Sequence, residues 1–300
     1  MIIAHISDTH IDPDHIDSIK RLEDVKRVVA TINALNPLPN VVIHTGDIAH
    51  NGTVEKYAVS LNILQELRMP LLAAAGNRDD RGLIRANFLG GKNLLPGASF
   101  VQYDSDDFPI HLIALDTLSA SSNMGDYCLA RADSLRAALI ENKNKRSALF
   151  MHHPPFEVTN SKYRSQFDSL SAIDFMANAL KGQDHVEAIF CGHAHRETRG
   201  SLAGIPAVGV PSVAVDLRLG DLPAAAAARR RLVQELRGPL AHRLPRRQHR
   251  RHAREGGQDH PQGELIPELG RRRAHSIKQF KQQFIRKPPA RAAARRAADP

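Results

Sequence analysis

The 300-residue sequence predicts an α/β protein. Three observations lead there. Six short runs are apolar throughout, helix-period segments alternate with them, and His, Asp and Asn residues cluster directly after five of the runs. Runs without polar alternation suit strands buried on both faces, and strand–helix–strand alternation suits a sheet with right-handed crossovers.

In chain order, the first run is 2–6. It is followed by 19–35, where Leu22, Val25, Val29 and Ile32 recur at helical spacing until Asn36-Pro37 stops the pattern. The second run is 41–45. Thr53 then caps a helix that carries Val54, Tyr57, Leu61, Leu64 and Leu67 on one face. The remaining runs are 71–75, 111–115, 148–151 and 186–190. Helices are expected at 131–142 and 171–181, the latter closed by Gly182.

Composition excludes several classes. Two cysteines, Cys128 and Cys191, cannot build a disulfide framework. No window approaches the roughly 18 to 20 apolar residues of a membrane span. The N-terminus runs straight into the first strand without a basic region or cleavage site, so a cytoplasmic protein with no membrane partner is expected. The net charge of +9 divides unevenly. Residues 217–300 hold 21 Lys and Arg against 7 Asp and Glu, a net of +14, which leaves 1–216 with 20 basic and 25 acidic residues, a net of −5. We therefore expect a catalytic domain at 1–216 and a basic low-complexity tail at 217–300, too poor in apolar residues to offset its ordering entropy.

The chemistry sits at the ends of the runs. Asp8 and His10 follow the first, Gly46-Asp47 the second, and Gly76-Asn77-Arg78-Asp79 the third. His152-His153-Pro154-Pro155 follows the fifth and Gly192-His193-Ala194-His195 the sixth. Ligands of open α/β sheets bind beyond the carboxyl ends of the strands, so five strands deliver metal-ligating side chains to one edge. In an extended chain residues two apart point to the same side, so Asp8 can converge with His10 and His193 with His195. Seven donors result: Asp8, His10, Asp47, Asn77, His152, His193 and His195. One ion with an open position needs three or four, so seven, one a bridging carboxylate, suit two ions roughly 3.5–4 Å apart. Four imidazoles and three oxygen donors without a thiolate favour Fe, Mn, Zn or Co over Ca or Mg.

The set Asp8-x-His10, Gly46-Asp47, Gly76-Asn77, His152-His153-Pro154 and Gly192-His193-x-His195 resembles the calcineurin-like metallophosphoesterase superfamily. Ile6-Ser7-Asp8-Thr9-His10, His152-His153-Pro154-Pro155 and Phe190-Cys191-Gly192-His193 are similar to the bacterial class III cyclic nucleotide phosphodiesterases and related glycerophosphodiesterases. The resemblance covers about 1–216. It implies a four-layer α/β/β/α sandwich. It also implies one metal held by Asp8, His10, Asp47 and His195, and a second held by Asp47, Asn77, His152 and His193. The implied activity is hydrolysis of a small phosphodiester by a hydroxide bridging two divalent ions. Asp47, Asn77 and Arg78 would be catalytic.

Arg78 departs from the family pattern, which commonly has His there as a leaving-group acid or phosphate contact. Arg stays protonated, so it can clamp a phosphate but not serve as an acid or base; the alternative is that it turns outward to Asp79 or Asp80. His50 and Asn51 are either a substrate contact or a solvated turn. His153 contacts substrate, supports a ligand, or packs beside Pro154. His5 and His44 are expected as satisfied core residues, Asp116 as a loop Asp, and Cys191 as a small buried residue. The family continues beyond 208–215 with strands that complete the sandwich or build a dimer cap, so a homo-oligomer is one expectation. The basic run found there instead is a nucleic-acid-binding arm or the product of a reading-frame shift, and its abrupt onset favours the shift. Rival functions are a phosphomonoesterase on the same scaffold and a non-catalytic nucleic-acid-binding protein. The loop Ile48-Ala49-His50-Asn51-Gly52 lacks the Asp-Arg-Gly of the protein Ser/Thr phosphatases.

Overall fold

Strand β1 (Ile2–Ile6) begins a parallel trio with β2 (Val41–His44) and β3 (Leu71–Ala73) in the computed structural model, which describes residues 1–89, 94–95, 99–159, 161, 165–213 and 241–243. Between these strands lie α1 (Ser18–Asn33) and α2 (Val54–Leu64), and α3 (Arg81–Phe88) follows β3. A second sheet comprises β4 (Tyr103–Ser105), β5 (His111–Ala114), β6 (Ser147–Phe150), β7 (Val186–Cys191), β8 (Thr198–Leu202) and β9 (Ile205–Gly209) in the order β4-β5-β6-β7-β9-β8. Helices α4 (Leu129–Glu141) and α5 (Leu170–Leu180) flank β6 in the chain.

The alternation of side chains along the second sheet explains the layers. Leu112, Ala114, Ala148, Phe150 and Phe190 join the core of the first sheet and α1–α3, whereas Ile113, Leu149 and Ile189 join that of α4 and α5. The layers therefore run helices, sheet, sheet, helices. Both faces of the central strands are covered, which is why their sequences are apolar throughout. A buried hydroxyl also ties the two sheets: Tyr103 Oη on β4 accepts from Ala73 N (2.9 Å) and donates to Ala73 O (2.8 Å) on β3.

Thr53 caps α2 as expected, its side chain accepting from Lys56 N. Val54, however, is 65% exposed, and Ser60 takes a buried place by donating to Lys56 O at 2.8 Å. On α4 the largest departure from apolar patterning is Arg131, 2% exposed. Its guanidinium donates to Asp116 O (2.9 Å) and Asp126 and lies 4.3 Å from the Phe100 ring centre. Paired and stacked in this way, it fills a core position.

α3, β4, β8 and β9 have no counterpart among the apolar runs and helix-period segments of the sequence. The described residues all fall in the unit Met1–Arg246. The tail expected at 217–300 lies outside the described residues except at β10 (Ala241–Arg243), which pairs antiparallel with β1, Ile2 opposite Arg243. Among the described residues, no helix is long and apolar enough to cross a membrane.

Candidate metal centre

Five turns meet where the two sheets end on the same side. They follow β1, β2 and β3 in one sheet and β6 and β7 in the other, and they cross-brace one another. Asp8 N donates to Gly46 O (3.0 Å), His10 N to Asp47 O (2.9 Å) and Gly192 N to His152 O (2.9 Å). Ser212 Oγ, beyond β9, donates to Asp8 O at 2.7 Å. The pairs Asp8/His10 and His193/His195 are not extended, as the alternation rule would have them. Asp8 (φ 54°), His10 (φ 41°), Asp47 (φ 55°), His193 (φ 65°) and His195 (φ 53°) all adopt the left-handed conformation. Such backbone costs roughly 1–2 kcal/mol per residue and persists where surrounding bonds over-determine it.

The turns bring all seven candidate donors together and divide them into two sets. In the first, His195 Nε2 lies 3.1 Å from Asp8 Oδ1 and 3.1 Å from His10 Nε2, which in turn lies 3.4 Å from Asp47 Oδ2. In the second, His152 Nε2 lies 3.5 Å from Asp47 Oδ1, 3.1 Å from Asn77 Oδ1 and 3.2 Å from His193 Nδ1. His193 Nδ1 and Asn77 Oδ1 are 3.0 Å apart. The two oxygens of Asp47 thus face different sets. His193 and His195, which spacing alone would let converge, are split between them.

Donor chemistry fits divalent cations. Asp8 Oδ1 is buried without a hydrogen-bond partner, while Oδ2 accepts from Ser7 Oγ (2.5 Å) and His193 N (3.0 Å). Imidazole nitrogens stand 3.1–3.2 Å apart within each set. Two nitrogens that share a tetrahedral ion at about 2.0–2.1 Å are themselves about 3.3 Å apart. His152 Nδ1 donates to Thr45 O at 2.7 Å, which fixes the tautomer that leaves Nε2 bare. Burial, and then the neighbouring His152, bring the His193 imidazole down to about 3, so it is neutral and its lone pair is available. Burial pushes the Asp47 carboxyl up to about 6. Burial works to raise Asp8 too, but His195 and His10 hold it well below the usual range.

Asp79, expected only as an alternative partner of Arg78, instead braces Asp47. Its carboxylate accepts from Asp47 N (2.7 Å), Ile48 N (3.1 Å), Gly76 N (2.9 Å) and Tyr57 Oη (2.6 Å). The sequence signal was its place two residues after Asn77. Glycine is required beside it: a Cβ on Gly76 would stand 2.3 Å from Asp47 Oδ1, and one on Gly192 would stand 2.0 Å from Ser7 Oγ.

The other expected residues separate by their partners. Arg78 turns to neither Asp79 nor Asp80. Its N–H donates to Asp47 Oδ1 (2.8 Å) and its Nη1 reaches Asn51 Oδ1 at 3.4 Å. His50 is half-buried, with Nδ1 3.3 Å from His10 Nδ1. His153 is fully buried, with Nδ1 2.9 Å from Thr117 Oγ1 and Nε2 3.2 Å from Asn123 O. Both its nitrogens face protein groups, its ring centre lies 4.4 Å from that of His193, and with His152 and His193 it offers donor atoms within 4.8 Å of one another. His44 is held between Thr9 Oγ1 and Gly46 N, and burial lowers it to about 3. Asp116 grips Arg81 through both oxygens (2.7 and 3.0 Å).

Residues 1–197 match the Calcineurin-like phosphoesterase family. The chain belongs to that family. Calcineurin-like phosphoesterases are hydrolases that use divalent metal ions, and Asp8, His10 and His195 offer donor atoms within 4.8 Å of one another, as do Asp8, Asp47 and His152. A "glycerophosphodiester phosphodiesterase GpdQ" of Enterobacter lignolyticus is 31% identical over 222 residues, covering 69% of this chain and 77% of its own. A "probable cyclic nucleotide phosphodiesterase" of Rhodopseudomonas palustris is 32% identical, covering 67% of this chain and 74% of its own. In fold, a dimetal phosphatase from Danio rerio superposes with a TM-score of 0.55 at 12% identity, over 71% of this chain and 88% of that one.

Proposed function

We propose that this calcineurin-like phosphoesterase is a cytoplasmic dimetal phosphodiesterase acting on a small diester, a 3′,5′-cyclic nucleotide or a glycerophosphodiester, through a catalytic domain at 1–216. The observation that carries the reading is the two-sided Asp47 carboxylate, with three further donors on each side: Asp8, His10 and His195 beside Oδ2, and Asn77, His152 and His193 beside Oδ1. The relatives named as phosphodiesterases support the substrate class.

When bound, Fe, Mn, Zn or Co ions at these two sets would supply Lewis acidity, activating water and offsetting phosphoryl charge. The chain's own residues do the rest. Asp79 fixes the backbone of Asp47, and Thr45 O fixes the tautomer of His152. Neutral Asn77 donates an oxygen without adding negative charge near an anionic substrate. Arg78, anchored by its own N–H on Asp47, clamps a phosphoryl oxygen and leaves protonation of the departing alkoxide to solvent or another side chain.

The test is turnover of cyclic nucleotides, glycerophosphodiesters and bis(p-nitrophenyl) phosphate by metal-loaded full-length protein, with metal content measured beside it. Diester hydrolysis that vanishes in Asp47→Ala together with bound metal is expected. Hydrolysis of phosphomonoesters alone, or an Asp47→Ala variant as active as its parent, would overturn the reading.

A further inference from the structure

Asn77 is the amide among the seven donors, and the two ends of an amide have nearly the same shape but opposite polarity. Its Oδ1 lies 3.1 Å from His152 Nε2 and 3.0 Å from His193 Nδ1, facing the other donors of its set. Turned over about its last side-chain bond, the same amide would present an NH₂ group there, whose hydrogens repel a cation. A carboxylate needs no such control, since both its oxygens can ligate. The far end of the Asn77 amide therefore decides which atom the set receives.

That far end meets a loop of the other sheet. Asn77 follows β3, and its Nδ2 donates to Asn123 Oδ1 (3.5 Å) in the segment after β5. Asn123 is exposed, yet the backbone that carries it is tied on both sides. Its carbonyl lies 3.2 Å from His153 Nε2. Before it, Ser122 Oγ donates to Asp168 Oδ1 (2.9 Å) and accepts from Met124 N (2.8 Å). After it, Gly125 N donates to Gln166 O (2.8 Å) and Asp126 N to Thr117 O (3.0 Å). A Cβ on Gly125 would stand 2.8 Å from the Phe167 ring and 2.9 Å from the His153 side chain, so the loop lies close against both. A side chain on a backbone fixed in this way loses little further freedom when it holds an acceptor in place.

We propose that Asn123 is a positioning residue for the second donor set, accepting from the Asn77 NH₂ and so keeping Asn77 Oδ1 turned towards His152 and His193. The inference rests on the dimetal reading above and adds to it a residue that is not itself one of the seven donors.

The test is Mn²⁺ binding by the full-length chain, followed through the EPR signal of free Mn²⁺. Asn77→Ala identifies the binding step that belongs to the second set. Asn123→Ala should weaken that same step by about 10- to 100-fold, the usual scale for a group supporting a ligand, and leave the other step unchanged. Asn123→Asp, which keeps an oxygen acceptor, should bind at least as tightly as the parent. The deciding comparison is made in Asn77→Asp, whose carboxylate presents an oxygen whichever way it turns. In that background Asn123→Ala should change the affinity by less than about twofold, the margin within which uncoupled effects add. Parental affinity in Asn123→Ala, or an equal loss in the Asn77→Asp background, would overturn the positioning role and leave the two-ion centre standing. A parent chain that binds fewer than two Mn²⁺ would remove both.

Discussion

Asp47 is held by bonds that leave its carboxylate few choices. Its N–H is fixed by Asp79, its carbonyl by His10 N, and its Oδ1 by Arg78 N, in a left-handed backbone at φ 55°. Asp79→Asn exchanges an oxygen acceptor for an NH₂ group facing backbone amides, so it should cost about 10- to 100-fold in metal affinity or activity, the usual scale for a residue supporting a ligand. Metal titration and kcat/KM measure this, and parental values would contradict the bracing role. Arg78 makes a different kind of prediction. Arg78→His introduces a group able to protonate a leaving alkoxide, so the dependence of rate on leaving-group pKa should become shallower across a series of aryl and alkyl diesters. An unchanged slope would show that position 78 plays no part in that step.

At the scale of elements, the core strands and four of the helices were readable because uninterrupted apolar runs and helical apolar spacing are local properties of the chain. β1, β2, β3, β5, β6 and β7 lie within a residue or two of the apolar runs, α1, α4 and α5 lie within two of their periodic segments, and α2 ends at Leu64, one turn before the expected Leu67. β4 and α3 have no counterpart among those runs and segments, and both are held by bonds to residues distant in the chain, α3 through Arg81 to Asp116. Tyr103 supplies such a bond for β4. Removing its hydroxyl in Tyr103→Phe leaves the Ala73 N–H and C=O buried without that partner, and should destabilise the fold by about 1–3 kcal/mol. Urea denaturation at fixed metal concentration reads the loss, and an unshifted midpoint would mean that the two sheets do not depend on this tie. The exposed Val54 and the buried Ser60 and Arg131 were missed for a related reason: which face of a helix is inner depends on neighbours that the helix sequence does not contain.

For the whole molecule, the centre is a junction rather than an appendage. Five turns from two sheets converge on it, gathering the buried Asp8, His10, Asp47 and His152 with the half-buried His193 and His195. Chelation should therefore lower the unfolding temperature and readdition of Mn²⁺ or Zn²⁺ restore it. Ligand at about 100 times its dissociation constant contributes about 2.7 kcal/mol. Calorimetry with and without chelator decides the matter, and coincident transitions would mean that the centre is preformed at no cost.

The sequence alone singled out which side chains would be brought together, because His, Asp and Asn after apolar runs are a one-dimensional signature of strand ends. Tertiary structure alone decided how those residues are shared. Asp47 shows one oxygen to each set, His193 and His195 part company, and Asp79 becomes a brace. Each outcome depends on left-handed turns held by bonds between residues as much as 204 positions apart, as Ser212 Oγ to Asp8 O is. Spacing along a chain records which side chains are available, whereas the direction each one takes is set by contacts that exist only after folding.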